Sequence, residues 1–145
     1  MLLNALAKPL MLGIYEDEVL IKSVQSDERA SEAVPILLQA LLKKFEFSRL
    51  IYANGPGSYM GIKISFLSLK TLSIVKDIPL LAVSAFELND FKPIRANKKL
   101  CFVYKKGEII LENTEAGEFF LPQSLQGLHL KKDNLPFYFL EAIWE

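Results

Sequence analysis

The stretch from Leu50 to Leu88 leaves this chain few folds to choose from. It opens on a short apolar run, Leu50 to Ala53, that stops at turn residues, and it closes on a second run, Leu80 to Val83, just after Pro79. Runs of that length bounded by turn residues read as strands. About twenty-five residues separate them, room for one crossover helix, so the segment reads as a βαβ unit with parallel strands. Such connections are almost always right-handed.

Gly55, Gly57 and Gly61 punctuate the junction between the first strand and the helix, where the chain must turn sharply and positive φ costs glycine nothing. Pro56 stiffens that turn. Two readings stand side by side. Backbone N–H groups of Ser58 to Gly61 pointing out of the helix N-terminus would favour an anion. A tight turn that lets helix and strand pack closely would need the same glycines. The spacing matches neither of the common phosphate-loop signatures.

The residues Asn54-Gly55-Pro56-Gly57-Ser58-Tyr59-Met60-Gly61-Ile62-Lys63 resemble the Gly-Pro-Gly-Ser-Phe-Thr-Gly-Leu-Arg signature of the bacterial TsaB (YeaZ) family. Ile78-Pro79-Leu80-Leu81-Ala82-Val83-Ser84 with Glu87 is similar to that family's Ile-Pro-x-x-x-Val-Ser-x-x-Glu segment. The resemblance weakens after Asp90. Tyr59, Met60, Ile62 and Lys63 depart from the signature, and Lys63 lacks the bidentate fork of the family's arginine.

The chain has 145 residues, 51% of them hydrophobic, enough for a core in one domain or two small lobes. Lys plus Arg and Asp plus Glu each number 17. A balance near zero gives no drive for strong non-specific nucleic-acid binding, so RNA contact is expected only indirectly, through a partner. One cysteine, Cys101, excludes an intramolecular disulfide. No leader pattern and no apolar run of spanning length are evident, so no membrane association and a cytoplasmic location are expected.

Leu2 to Leu6, Leu10 to Tyr15 and Val19 to Val24 read as an antiparallel meander with turns at Lys8-Pro9 and Glu16-Asp17-Glu18. A meander followed by helix, strand, helix and strand is the α/β pattern of a ribonuclease-H-like lobe, the unit of the actin, Hsp70 and sugar-kinase superfamily to which the resembled family belongs. The lobe is expected over 1–90, with a reduced second lobe over 91–145. Asn89 to Asn97 reads as a polar linker, and Leu100 to Tyr104 with Glu108 to Glu112 as a hairpin turning at Lys105-Lys106-Gly107.

By the same resemblance, relatives carry Asp-Thr-Ser in the first hairpin, where nucleotide-hydrolysing members handle magnesium and phosphate. Asn4-Ala5-Leu6 stands there, without the acid or either hydroxyl, and Arg95-Ala96-Asn97 stands where relatives show Asp-Ala-Arg. The paired metal-holding histidines of the catalytic TsaD-type paralogue have no counterpart in Asp27 to Glu32.

A first helix is expected within Ser26 to Phe47, with Ser31 as N-cap and Pro35 tolerated near its start. Its apolar residues, Leu38 and Leu42 among them, span a wide arc. The second helix, Met60 to Lys76, carries two stripes: Met60, Ile64, Leu67, Ile74 and Val75 form one, and Ile62, Phe66 and Leu69 the other. Either the helix is sandwiched within its own domain, or one stripe faces the sheet and the other a partner.

Other candidates for chemistry are few. His129 is the only histidine, so a His-based metal cluster is not expected and His129 reads as a structural or surface residue. Cys101 reads as packed inside a strand. Lys131-Lys132 with Phe137-Tyr138-Phe139 and Trp144 reads as an RNA-stacking edge or as a segment closing the core.

The resemblance implies a subunit without catalysis of its own and without a cofactor, acting in the formation of threonylcarbamoyladenosine in tRNA. It would dimerise with the TsaD-type paralogue and recruit the TsaE-type ATPase; for the chain alone, homodimer and monomer both stay open. The residues assigned are the glycine loop Gly55, Pro56, Gly57, Ser58 and Gly61, and a partner surface drawn from Leu38, Leu42, Met60, Ile62, Ile64, Phe66 and Leu67. The alternative is a small ATP-using phosphotransferase or ATPase on the same fold.

Overall fold

The computed structural model describes residues 1–138. Strands β1 (Leu2–Asn4), β2 (Leu10–Glu16) and β3 (Val19–Ser26) form the predicted antiparallel meander. β2 and β3 join through Asp17-Glu18, both at positive φ, the mirror-image turn whose twist suits a hairpin. β4 (Leu50–Ala53) lies parallel to β1, and β5 (Leu80–Val83) parallel to β4. The predicted βαβ unit is therefore present at the predicted residues. The sheet order β3-β2-β1-β4-β5 is that of a ribonuclease-H-like lobe.

Both faces of this sheet are covered, and β4 shows why its sequence is apolar throughout. Leu50 and Tyr52 enter one core while Ile51 and Ala53 enter the other, as the two-residue period of a strand requires. Helices α1 (Ala30–Leu42) and α2 (Tyr59–Lys76) cover the first face with Ala33, Val34, Leu38, Leu41 and Leu69. The second face packs against Phe86 and Leu88 of a 3₁₀ turn, Ala85–Leu88, and against Ile94, Phe102 and Leu125.

Three predicted boundaries move. α1 starts at Ala30, so Ser31, expected as its N-cap, lies inside it. Its N-cap is Arg29, whose carbonyl accepts from the N–H groups of Glu32 and Ala33 and whose side chain caps nothing. Pro35 sits within the helix, leaving the Ser31 carbonyl without its intrahelical donor. The predicted linker contains β6 (Ile94–Arg95), paired with β7 (Cys101–Lys105). Two residues are too few for alternation to show in sequence, yet Ile94 points into the core and Arg95 out. β8 (Glu108–Glu112) completes a three-stranded sheet, and the β7–β8 hairpin turns on Lys106-Gly107, one residue later than read from sequence.

Cys101 is buried in β7 with its Sγ donating to the Thr114 carbonyl at 3.3 Å. Among the described residues no helix is long and apolar enough to cross a membrane.

Candidate functional site

β4 ends at Ala53, and the glycine loop that follows Asn54 is shaped by three close approaches. Gly55 has φ of +125°, and a Cβ there would run into the Phe137 carbonyl. A Cβ on Gly57 would stand 2.7 Å from that of Leu6. A Cβ on Gly61 would overlap the Ala5 carbonyl, so this glycine lets the first turn of α2 sit directly on the end of β1. The Ser58 N–H donates to the Leu6 carbonyl at 2.9 Å, and the Gly61 N–H to Ser58 Oγ at 3.1 Å. Two of the N–H groups that an anion would need are thus spent within the chain. The tight-turn reading describes this loop, with Ser58 as the N-cap of α2.

A strap formed by residues 131–138 crosses the ends of β4 and β5. Lys131 and Ala82 exchange backbone bonds of 2.8 and 2.9 Å. Asn134 Nδ2 donates to the Leu80 carbonyl at 2.9 Å, Asn54 Nδ2 to that of Leu135 at 3.1 Å, and the Phe137 N–H to that of Asn54 at 2.8 Å. The Tyr52 hydroxyl donates to the Asn134 carbonyl, and burial pushes that phenol's pKa up. Tyr138 lies against Tyr59, ring centroids 4.9 Å apart. Lys131 to Tyr138 is thus tied to the sheet mainly through its backbone, with Leu135 65% and Phe137 40% exposed, while Phe139 and Trp144 lie outside the described residues. A second distant tie comes from Tyr15, whose hydroxyl donates to the Pro122 carbonyl at 2.7 Å and whose pKa burial pushes up to about 12.

The two stripes of α2 meet different fates. Ile62 and Leu69 are buried with Gly61 and Ser65, and half-buried Phe66 packs tilted against Tyr52, ring centroids 5.8 Å apart. On the other stripe Met60, Leu67, Ile74 and Val75 are 52%, 51%, 70% and 74% exposed. Met60, Leu67 and Ile74 recur every seven residues, so they stand in line along the helix. Ile64 is half-buried, packed on the helix-side core. Two residues assigned to a partner surface are spent inside the chain: Leu38 of α1 is 7% exposed and Ile62 1%. Their apolar periodicity reports burial, and it carries no mark of which neighbour does the burying. Leu42 is half-buried, and Ile36, 64% exposed, is the apolar residue that α1 presents.

The hairpin residue Asn4 is buried, and its Oδ1 accepts from the Leu6 N–H at 3.0 Å, bracing the β1–β2 turn. Beside that turn opens a cleft of about 840 Å³ between the start of α2, β6 and residues 116–119. Lys8, Arg95 and Glu118 are its charged lining residues. Among the described residues no three His, Cys, Asp or Glu side chains converge as metal ligands would. His129 is on the surface, its Nδ1 3.0 Å from Glu87 Oε1, which also accepts from the His129 backbone N–H.

Sequence reasoning missed one cluster. Phe86, Phe91 and Tyr104 form a contiguous set of rings, with Phe86–Phe91 centroids 6.4 Å apart and nearly parallel and Phe91–Tyr104 at 5.6 Å and edge-on. Phe86 is a core residue, but Phe91 is 54% exposed and Tyr104 43%. The available signal was charge: residues 91–106 hold six cations and no carboxylate in a chain that is otherwise balanced.

No family model matches the chain. Over 60 residues it is 42% identical to the tRNA threonylcarbamoyladenosine biosynthesis protein TsaB of Bacillus subtilis (strain 168), covering 41% of this chain and 26% of that protein. That 60-residue stretch is where the chain is similar in sequence to TsaB. YeaZ from Pseudomonas aeruginosa superposes with a TM-score of 0.52 at 18% identity, over 80% of this chain and 65% of that one. A second structure, described as an uncharacterized protein with similarity to peptidase YEAZ from Pseudomonas aeruginosa, has the same TM-score and identity over 81% and 64%. These YeaZ structures share the ribonuclease-H-like fold with the chain. It spans about a quarter of the curated TsaB relative and under two thirds of either YeaZ structure.

Proposed function

We propose that the chain is a non-catalytic subunit in the formation of threonylcarbamoyladenosine in tRNA, and that it works by binding a catalytic paralogue of the TsaD type through α2. The match to the Bacillus subtilis TsaB protein supports the process. The observation that carries the mechanism is the exposed line of Met60, Leu67, Ile74 and Val75 on a helix whose opposite face is fully committed to the fold. Contiguous apolar surface on a small protein marks a place where another surface is meant to sit. In this reading Ile36 extends the patch from α1, the TsaE-type ATPase joins the assembled pair, and in isolation the same face pairs two copies of the chain.

Size-exclusion chromatography of the chain mixed with a TsaD-type subunit tests this. Leu67→Glu and Ile74→Glu should abolish co-elution while leaving the chain folded; co-elution unchanged in both would remove α2 from the interface. An ATP-using enzyme on this fold is the competing reading. It would work in the 840 Å³ cleft, whose lining residues bring one carboxylate, Glu118, and no hydroxyl-acid pair from the first hairpin. ATP turnover by the purified chain above a heat-killed control would overturn the non-catalytic assignment.

A further inference from the structure

We infer that the exposed rings of Phe91 and Tyr104, flanked by Lys92 and Lys106, form a platform that stacks unpaired RNA bases; the inference deepens the proposed function and rests on it for the choice of RNA. Phe91 is held out by a turn that its own sequence disfavours. Asp90 and Phe91 have φ of 59° and 56°, and the Lys92 N–H closes on the Asn89 carbonyl at 3.2 Å. Asn and Gly suit the two middle positions of such a turn, and a bulky ring at positive φ is an outlier. The turn is enforced from beneath by Asn89, 1% exposed, whose Nδ2 donates to the Lys92 carbonyl at 2.9 Å. Strain kept in place by a buried polar residue points to use of what it displays.

What it displays suits a flat, negatively charged chain. Phe91 lies nearly parallel to buried Phe86, and more than half its surface is open. Tyr104 stands edge-on beside it. Lys92 follows Phe91 directly, and Lys106 lies at the tip of the β7–β8 hairpin two residues beyond Tyr104. Both are exposed and neither forms an ion pair among the described residues, whereas Lys105 is bound to Glu112. Asp90 precedes Phe91 in the chain, and Glu108 pairs with Lys105 across the hairpin. An aromatic face for bases with free cations for phosphates is the arrangement by which proteins hold single strands without reading their sequence.

The test is fluorescence anisotropy of an unstructured, fluorescein-labelled RNA octamer titrated with the full chain across a salt series. Phe91→Asn removes the ring and supplies the residue that positive φ favours, so the variant should melt close to the parent yet bind about tenfold more weakly. Tyr104→Ser should weaken binding similarly. Lys92→Ala with Lys106→Ala should flatten the slope of log K against log salt by about 1.4. Should Phe91→Asn not fold, the lysine pair on the open surface decides, and unchanged affinity and slope there overturn the proposal. Parent affinity in both ring variants, absence of RNA binding, or equal displacement by polyglutamate would also overturn it, the last assigning the patch to an acidic protein. Co-elution with the TsaD-type subunit is measured in parallel: RNA binding without assembly overturns the proposed partner and leaves the platform standing, and assembly without RNA binding does the reverse.

Discussion

Gly61 and Gly107 look alike in sequence and carry different constraints. Gly61→Ala would press a methyl group onto the Ala5 carbonyl, where neither backbone can yield cheaply, and should cost about 3 kcal/mol in denaturant unfolding. Gly107 has φ of +80°, and a Cβ there would meet nothing within 4 Å, so Gly107→Ala should cost only the conformational penalty, about 1 kcal/mol. Equal losses would show that close approach is not what the loop glycine serves. The buried phenols give a residue-scale pH prediction. Tyr15 and Tyr52 both have pKa values raised above the ordinary 10.0 by burial, Tyr15 to about 12. Their folded forms hold the proton more tightly than the unfolded chain does. The stability they add is therefore complete below pH 10 and lost as pH climbs from there through the folded values. The melting temperature should fall above pH 10, less steeply in Tyr15→Phe; a curve flat to pH 12 would contradict this.

At the scale of elements, the two faces of α2 separate by experiment. Ile62→Glu or Leu69→Glu would bury a charge without a partner and should unfold the chain, a loss of more than about 4 kcal/mol. Leu67→Glu and Ile74→Glu lie on open surface and should leave stability within about 0.5 kcal/mol of the parent by circular dichroism melting. Much of this architecture is legible in the residues alone. β4 and β5 announce themselves as apolar runs between turn residues, and the meander as three short runs separated by the turns at Lys8-Pro9 and Glu16-Asp17-Glu18. The two stripes of α2 are also visible, but not which of them the sheet takes, because Ile62 and Leu67 are equally apolar and only the position of Gly61 against β1 fixes the helix's rotation. Ser31 fails as a cap because a capping residue type does not start a helix unless the chain turns there. β6 and the Asp90-Phe91 turn leave no periodic trace, being set by pairing with β7 and by Asn89.

For the whole molecule, the segment whose residues point two ways in sequence turns out to tie the fold together. Residues 131–138 have no strand periodicity, since what they contribute is mainly backbone carbonyls and N–H groups, which every residue type but proline carries in full. Truncation after Leu130 would strip partners from Tyr52, Asn54 and the Ala82 backbone and should lower the urea midpoint and raise hydrogen exchange at Ala82. Protection at Ala82 equal to that of the full chain would show the strap to be an ornament.

The strap has a consequence in time as well as in space. Tyr52 and Asn54 meet partners 82 and 81 positions later in the chain, so the end of β4 is completed by residues made long after it. Contacts of such separation slow folding, because a long loop must close before they form. During synthesis the strands would emerge and pair while the glycine loop still lay open, and residues 131–138, emerging later, would seal it. A stalled nascent chain should therefore stay protease-sensitive at Gly55–Gly57 until residue 137 has cleared the exit tunnel.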